Sequence, residues 1–127
     1  MKKFLITGMF VVACTLMICG CDEKQKQTAS ALTHGGNPDA GRREIEYYGC
    51  ASCHIVPGVA GAQGLIGPSL KGVENRNYIG GVVQNSPDDL IRWIQNAPSL
   101  SPKTAMPDLE IPDRQARDIA SYLYTLR

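Results

Sequence analysis

Cys50-Ala51-Ser52-Cys53-His54 is the stretch that decides how the remainder of this 127-residue chain is read. Residues three apart on a helical turn present their side chains to the same side. The Cys50 and Cys53 thiols therefore face one way, at a spacing that suits bonding to the two vinyl groups of one porphyrin. His54 follows at once, where its imidazole can be held under the iron. Three other readings compete. A structural disulfide between the two cysteines leaves His54 without a part. A thioredoxin-like redox pair needs a βαβ context, which the flanking sequence does not offer. A zinc site needs four ligands, and His34 is the other histidine in the chain. Covalent attachment of one haem c through Cys50 and Cys53 uses all three residues.

Working outward, three helices are expected. Asn37-Pro38-Asp39 combines a cap, a proline in the first turn and an acid at the positive dipole end. That helix should run through Gly41, Ile45, Tyr47 and Tyr48, stop near Gly49 and deliver the chain to Cys50. Ser86-Pro87-Asp88-Asp89 reads as a capping box, followed by an apolar stripe of Leu90, Trp93, Ile94 and Ala97 that Pro98 should close. Pro112-Asp113 opens the last helix, whose face is Ala116, Ile119, Leu123 and Leu126, with Ala120 and Tyr122 flanking it. Gly41 would let the first of these helices pack closely against the last. The Gly/Pro-rich segments between them lack period-2 alternation, so no sheet is expected. The expected fold class is all-α: three main helices with long loops, whose thin apolar core the haem completes.

An iron held by one histidine needs a second partner or keeps an open site. The candidates are His34, in a polar stretch before the attachment motif, and Met106, in the loop Pro102-Lys103-Thr104-Ala105-Met106-Pro107. A methionine in a polar, proline-rich loop has no apolar stripe to join, and a thioether sulfur raises the potential of a haem iron. His54 and Met106 are therefore the expected metal ligands.

The ends of the chain and its composition set the surroundings. Met1-Lys2-Lys3 is a cationic start, and no charge follows from Phe4 to Cys21. Ile18-Cys19-Gly20-Cys21 resembles a bacterial lipoprotein signal, with Cys21 lipidated as the new N-terminus; an uncleaved anchor helix is the alternative. Residues 1–20 are thus expected to be a leader, 21–36 a flexible tether with a reach of roughly 20–25 Å, and 37–127 the folded domain. The chain would be exported and lipid-anchored, periplasmic or on the outer face of the cytoplasmic membrane. With 13 basic and 12 acidic residues, nothing marks a nucleic-acid binder. A mean hydropathy of −0.15 excludes a polytopic membrane protein.

The order Cys50-Ala51-Ser52-Cys53-His54, Gly67-Pro68-Ser69-Leu70, Met106-Pro107 and Ala120-Ser121-Tyr122-Leu123 resembles that of class I c-type cytochromes, over nearly all of residues 37–127. Tyr78-Ile79-Gly80-Gly81-Val82, Asn85-Ser86-Pro87-Asp88-Asp89-Leu90 and Thr104-Ala105-Met106-Pro107 are most similar to small bacterial members linked to haem-copper oxidases. The resemblance implies the small cytochrome c fold and a monomeric electron carrier rather than an enzyme. It implies redox partners: a donor such as a quinol-oxidising complex or a dehydrogenase, and an acceptor such as a haem-copper oxidase. It also implies that the Pro68 carbonyl accepts from His54 Nδ1, and that Arg76, Trp93 and Thr104 are partners for the haem propionates. One departure is visible: the aromatic usual on the first helix is displaced to Tyr47 or Tyr48. Lys71, Arg76, Arg92 and Lys103 are candidates for a cationic patch near the haem edge. A fixed haem subunit of an oxidase or dehydrogenase, and a haem-based ligand sensor, are the rival functions.

Overall fold

The computed structural model describes residues 20–127, so the leader expected over residues 1–20 lies, Gly20 apart, outside the described residues. Among the described residues no helix is long and apolar enough to cross a membrane. The chain forms a helix over residues 20–32 (α1), then α2 (Pro38–Tyr47), α3 (Pro87–Leu100) and α4 (Asp113–Leu123). Short 3₁₀ turns cover Cys50–Ser52 and Val73–Asn75. Two-residue strands, β1 (Tyr78–Ile79) and β2 (Val83–Gln84), pair antiparallel across a turn in which Gly80 and Gly81 both take positive φ. That small hairpin corrects the expectation of no sheet: two residues per strand are too few for an alternation to be read.

The helix starts follow from local chemistry. The Asn37 side chain accepts from the Asp39 and Ala40 amides, and Ser86 Oγ accepts from the Asp89 amide at 3.1 Å. Each such cap is worth about 1 kcal/mol. α3 departs from expectation. Its backbone breaks at Asn96 (φ −153°), two residues before Pro98, and Asn96 Oδ1 accepts from the Ser99 amide to start a last short turn. Proline in a helix interior clashes with the carbonyl four residues back. The break at Asn96 relieves that clash and places Pro98 in a first turn, where its missing N–H costs nothing.

α2 crosses α4 in an extended contact, and Gly41 makes it possible. A Cβ there would lie 1.9 Å from the Asp118 carbonyl oxygen, so the two backbones touch. Ile45, one turn on, is completely buried and packs into a core with Ala116, Ile119, Ala120 and Leu123. Burial of such a side chain contributes about 1.5–3 kcal/mol.

The expected flexible tether is corrected outright. α1 is helical to residue 32 and lies on the domain. Gln25 Nε2 donates to the Thr125 carbonyl at 2.8 Å, Lys26 pairs with Asp39 at 2.8 Å, and Ala29 and Thr33 are buried. Beyond it, the Asn37 amide donates to the buried Asp118 carboxylate at 2.7 Å, and Gly36 sits against the Arg117 carbonyl. Residue 25 meets 125 while 36 and 37 meet 117 and 118, so α1 runs back along α4 in the opposite sense. Among the described residues there are thus four α-helices where three were expected.

Candidate functional site

α2 is capped at Tyr48, Gly49 takes a left-handed turn (φ 71°), and the Cys50–Ser52 turn then opens the attachment motif. The Cys53 and His54 amides both donate to the Cys50 carbonyl, which brings both thiols and the imidazole onto one cavity wall. No disulfide joins Cys50 and Cys53. Burial, with Cys53 adding to it, pushes the Cys50 thiol above its ordinary pKa.

The imidazole is fixed from two directions. His54 Nδ1 lies 2.7 Å from the Pro68 carbonyl. A carbonyl can only accept, so Nδ1 carries the proton and Nε2 keeps its lone pair for a metal. Gly67 lies flat against the ring: a Cβ there would stand 2.2 Å from His54 Cε1. The carbonyl is held in turn, because the Gly67 amide donates to Cys53 O and the Leu70 amide to Ile55 O, both at 2.8 Å. The loop of residues 67–70 is therefore laced to the attachment turn on both sides of Pro68.

All eight residues singled out from the sequence (Cys50, Cys53, His54, Pro68, Arg76, Trp93, Thr104 and Met106) line this one cavity of about 390 Å³. His34, the rival ligand, does not. It is pinned 2.7 Å from Asp88, at the start of α3. Met106 is half-buried against the core, and its amide donates to Thr104 Oγ1 at 3.2 Å, which fixes the loop that presents the sulfur. Trp93 is buried, belongs to the core cluster and also lines the cavity, with its ring against Gly80. Arg76 Nη2 donates to the Ser69 and Lys71 carbonyls, so part of its guanidinium is spent on the chain itself. Of the proposed cationic patch, Arg92 is paired with Asp89 at 2.6 Å.

Further residues line the cavity beyond the eight assigned to the site from sequence. Tyr48 supplies the displaced aromatic and lines the cavity, whereas Tyr47, in edge contact with it at 5.0 Å, is 81% exposed. Ile66 and Tyr78 line the mouth and remain 77% and 60% exposed. Asn85, the first residue of the Asn85–Leu90 stretch, is a hydrogen-bond hub on the wall, a part the stretch itself does not announce.

These residues fit a covalently held haem. Two thiols sit one turn apart, an imidazole has its Nε2 available, and a thioether faces the same mostly apolar space: the donor set of an iron porphyrin. Among the described residues no group of three or more His, Cys, Asp or Glu side chains is placed to hold a metal ion on its own.

The comparisons agree with this geometry. The cytochrome c oxidase subunit 2 of Alkalihalophilus pseudofirmus is 31% identical over 87 residues, 68% of this chain. The match spans only 24% of that relative, so this chain corresponds to about a quarter of its length. No solved structure gives a significant match. The family model described as cytochrome c matches residues 40–127, from the first turns of α2 to the C-terminal residue. The chain belongs to the cytochrome c family: it is a class I c-type cytochrome, a haem-based electron-transfer protein whose haem c is held through Cys50 and Cys53.

Proposed function

We propose that this chain is a membrane-tethered, monohaem single-electron carrier outside the cytoplasm, working between respiratory partners and toward a haem-copper oxidase. The observation that carries the reading is the convergence of Cys50, Cys53, His54 and Met106 on one cavity while His34 is held elsewhere. When bound, haem c supplies a one-electron iron couple. The chain's own residues do the rest. His54 offers Nε2 with its orientation fixed by Pro68 and Gly67, and Met106 offers a sulfur that favours the reduced metal. Ligands fixed by their own loops need not move when the charge changes, which keeps reorganisation small. No acid, base or substrate pocket is required of such a protein. The exposed apolar rim of Ile66 and Tyr78 is where an electron would pass to a partner.

The membrane part of the reading rests on the lipoprotein-like Cys21, and the oxidase part on the resemblance to an oxidase subunit. α1 alters the picture of the tether. Cys21 stands four residues before Gln25, the first residue of α1 tied to the domain, so about 6 Å of helix separates them. A domain held that closely cannot roam, and this favours a second reading: a haem subunit fixed beside its partner.

The test is purification of the full chain from its own membranes. A mature mass containing one haem and acyl chains, a low-spin ferric spectrum indifferent to carbon monoxide and cyanide, and rapid oxidation by a haem-copper oxidase are expected. Co-purification as a stable stoichiometric complex would select the fixed subunit. A high-spin spectrum that binds those ligands would overturn both readings in favour of a sensor.

A further inference from the structure

We infer that Asn85 is a positioning residue for the haem site, acting through Arg76 and the loop of residues 67–71 on the carbonyl that orients His54. Its side chain uses both amide protons, donating from Nδ2 to Val73 O at 2.7 Å and to Arg76 O at 2.8 Å. Its Oδ1 accepts from the Tyr124 hydroxyl at 3.1 Å, and its backbone amide donates to Asn77 O at 2.9 Å. Asn85 therefore ties together the Val73–Asn75 turn, the entry to α3 and the end of α4, on the wall of the cavity.

The linkage continues in one direction. The backbone of Arg76 is held by Asn85, which donates to its carbonyl, and by its own amide, which donates to Val73 O at 3.1 Å. From there the Arg76 side chain reaches back to the Ser69 and Lys71 carbonyls. Ser69 directly follows Pro68, whose carbonyl accepts from His54 Nδ1. On its far side that loop is tied to Cys53 and Ile55, so Arg76 supplies the opposing hold. Groups that orient and polarise a ligating histidine change how strongly it donates to its metal. In a satisfied network, deletion of one member is felt by the others. Without the Asn85 donors, the Arg76 carbonyl loses its partner, Val73 O keeps only the Arg76 amide, the Val73–Arg76 turn loosens, and the hold that the Arg76 side chain places on the loop beyond Pro68 slackens. The His54 hydrogen bond weakens, the imidazole becomes less electron-rich, and the reduced state gains.

The inference rests on His54 as the iron's nitrogen ligand, and its test uses the haem-loaded full chain. Asn85→Ala is expected to speed solvent exchange of the His54 Nδ1 proton, followed by NMR in the reduced protein, about fivefold, the factor that one hydrogen bond is worth. At a fixed redox poise it should shift the oxidised-to-reduced ratio about threefold toward reduced. Tyr124→Phe, which spares both Asn85 donors, should lower Tm and leave exchange and poise at parental values. If Asn85→Ala lowers Tm but moves neither readout, Asn85 is only structural and the inference is overturned. Should the alanine variant not fold, Asn85→Ser, which keeps one donor, is read by the same two criteria. Failure of the underlying ligand assignment shows separately, as a parent spectrum without a histidine-ligated haem.

Discussion

Gly41→Ala sets two effects of opposite sign against each other. In an exposed helix interior, alanine is favoured over glycine by about 1 kcal/mol. At this position the added methyl would stand 1.9 Å from the Asp118 carbonyl oxygen and 2.4 Å from its carbon, where ordinary contact begins near 3.4 Å. These are backbone atoms inside α4 and cannot swing aside as a side-chain tip would. The helices must separate by roughly 1.5 Å, which loosens Ile45 against Ala116, Ile119 and Ala120. Overpacking a tight contact costs about 3 kcal/mol at the upper end of its usual range. The net loss is then about 2 kcal/mol, or a fall in Tm of roughly 8–16 °C for a domain of this size. Thermal denaturation followed at 222 nm in the haem-loaded protein, with the Soret band as a second probe, measures it. A Tm equal to or above the parent's would show that propensity outweighs contact here and would refute close approach as the reason for glycine.

Met106→Ala should lower the midpoint potential and open the iron to carbon monoxide; an unchanged potential and no ligand binding would remove Met106 from the coordination sphere. Gly67→Ala places a methyl 2.2 Å from His54 Cε1, so the His54–Pro68 hydrogen bond should be lost and the fraction of protein that takes up haem should fall, as pyridine haemochrome yield would record. Burial, with Asp89 and Glu74 nearby, pushes Tyr124 up to about 12, from the ordinary 10. The unfolded chain gives up this proton first, so its contribution to stability is whole below pH 10 and is lost as pH rises toward 12; Tyr124→Phe should flatten that limb of a urea-denaturation series. Ala29→Glu puts a charge where a side chain is 2% exposed and should free α1 from α4. Amides 26–33 would then exchange at coil rates while the absorbance spectrum stays parental, and retained protection would refute the packing.

What could be read in advance divides by the kind of signal. Asn37, Ser86 and Pro112 mark helix starts because a cap is a local event, settled by residues two or three apart in the chain. Gly41 could be read because only one small residue sits on an otherwise bulky face. The attachment motif could be read because its chemistry has few other uses, the Pro68 contact came from the family resemblance, and Met106 could be placed near the site because its loop has no apolar stripe to join. α1 could not: its hold on the domain is Gln25, Lys26, Ala29 and Thr33, one small apolar residue among polar groups whose partners lie 13 or 100 positions away or in the helix's own backbone. No apolar stripe announces a helix that docks by hydrogen bonds. Asn85 was equally silent, because an asparagine that bridges three segments looks in sequence like one that opens a turn.

The docked helix changes what kind of carrier this domain can be. A coil of this length would let the domain sweep some 20–25 Å around its anchor and meet partners in turn. With residues 25–37 fastened to α4 and α2, the four residues that separate the proposed anchor at Cys21 from Gln25 continue a helix rather than a coil. On the proposed anchor at Cys21, the cavity would keep one orientation relative to the membrane, and electron exchange would be confined to partners that present themselves to that face. The orientation costs the chain little, because the contacts that fix it also bury Ala29 and Thr33 and satisfy the amide of Asn37. Replacing residues 22–35 with a Gly/Ser coil of equal length separates the two roles: oxidation by small soluble reagents should be unchanged. Turnover with a membrane-bound oxidase should change with the lost orientation. Equal rates with both acceptors would mean that α1 contributes stability alone.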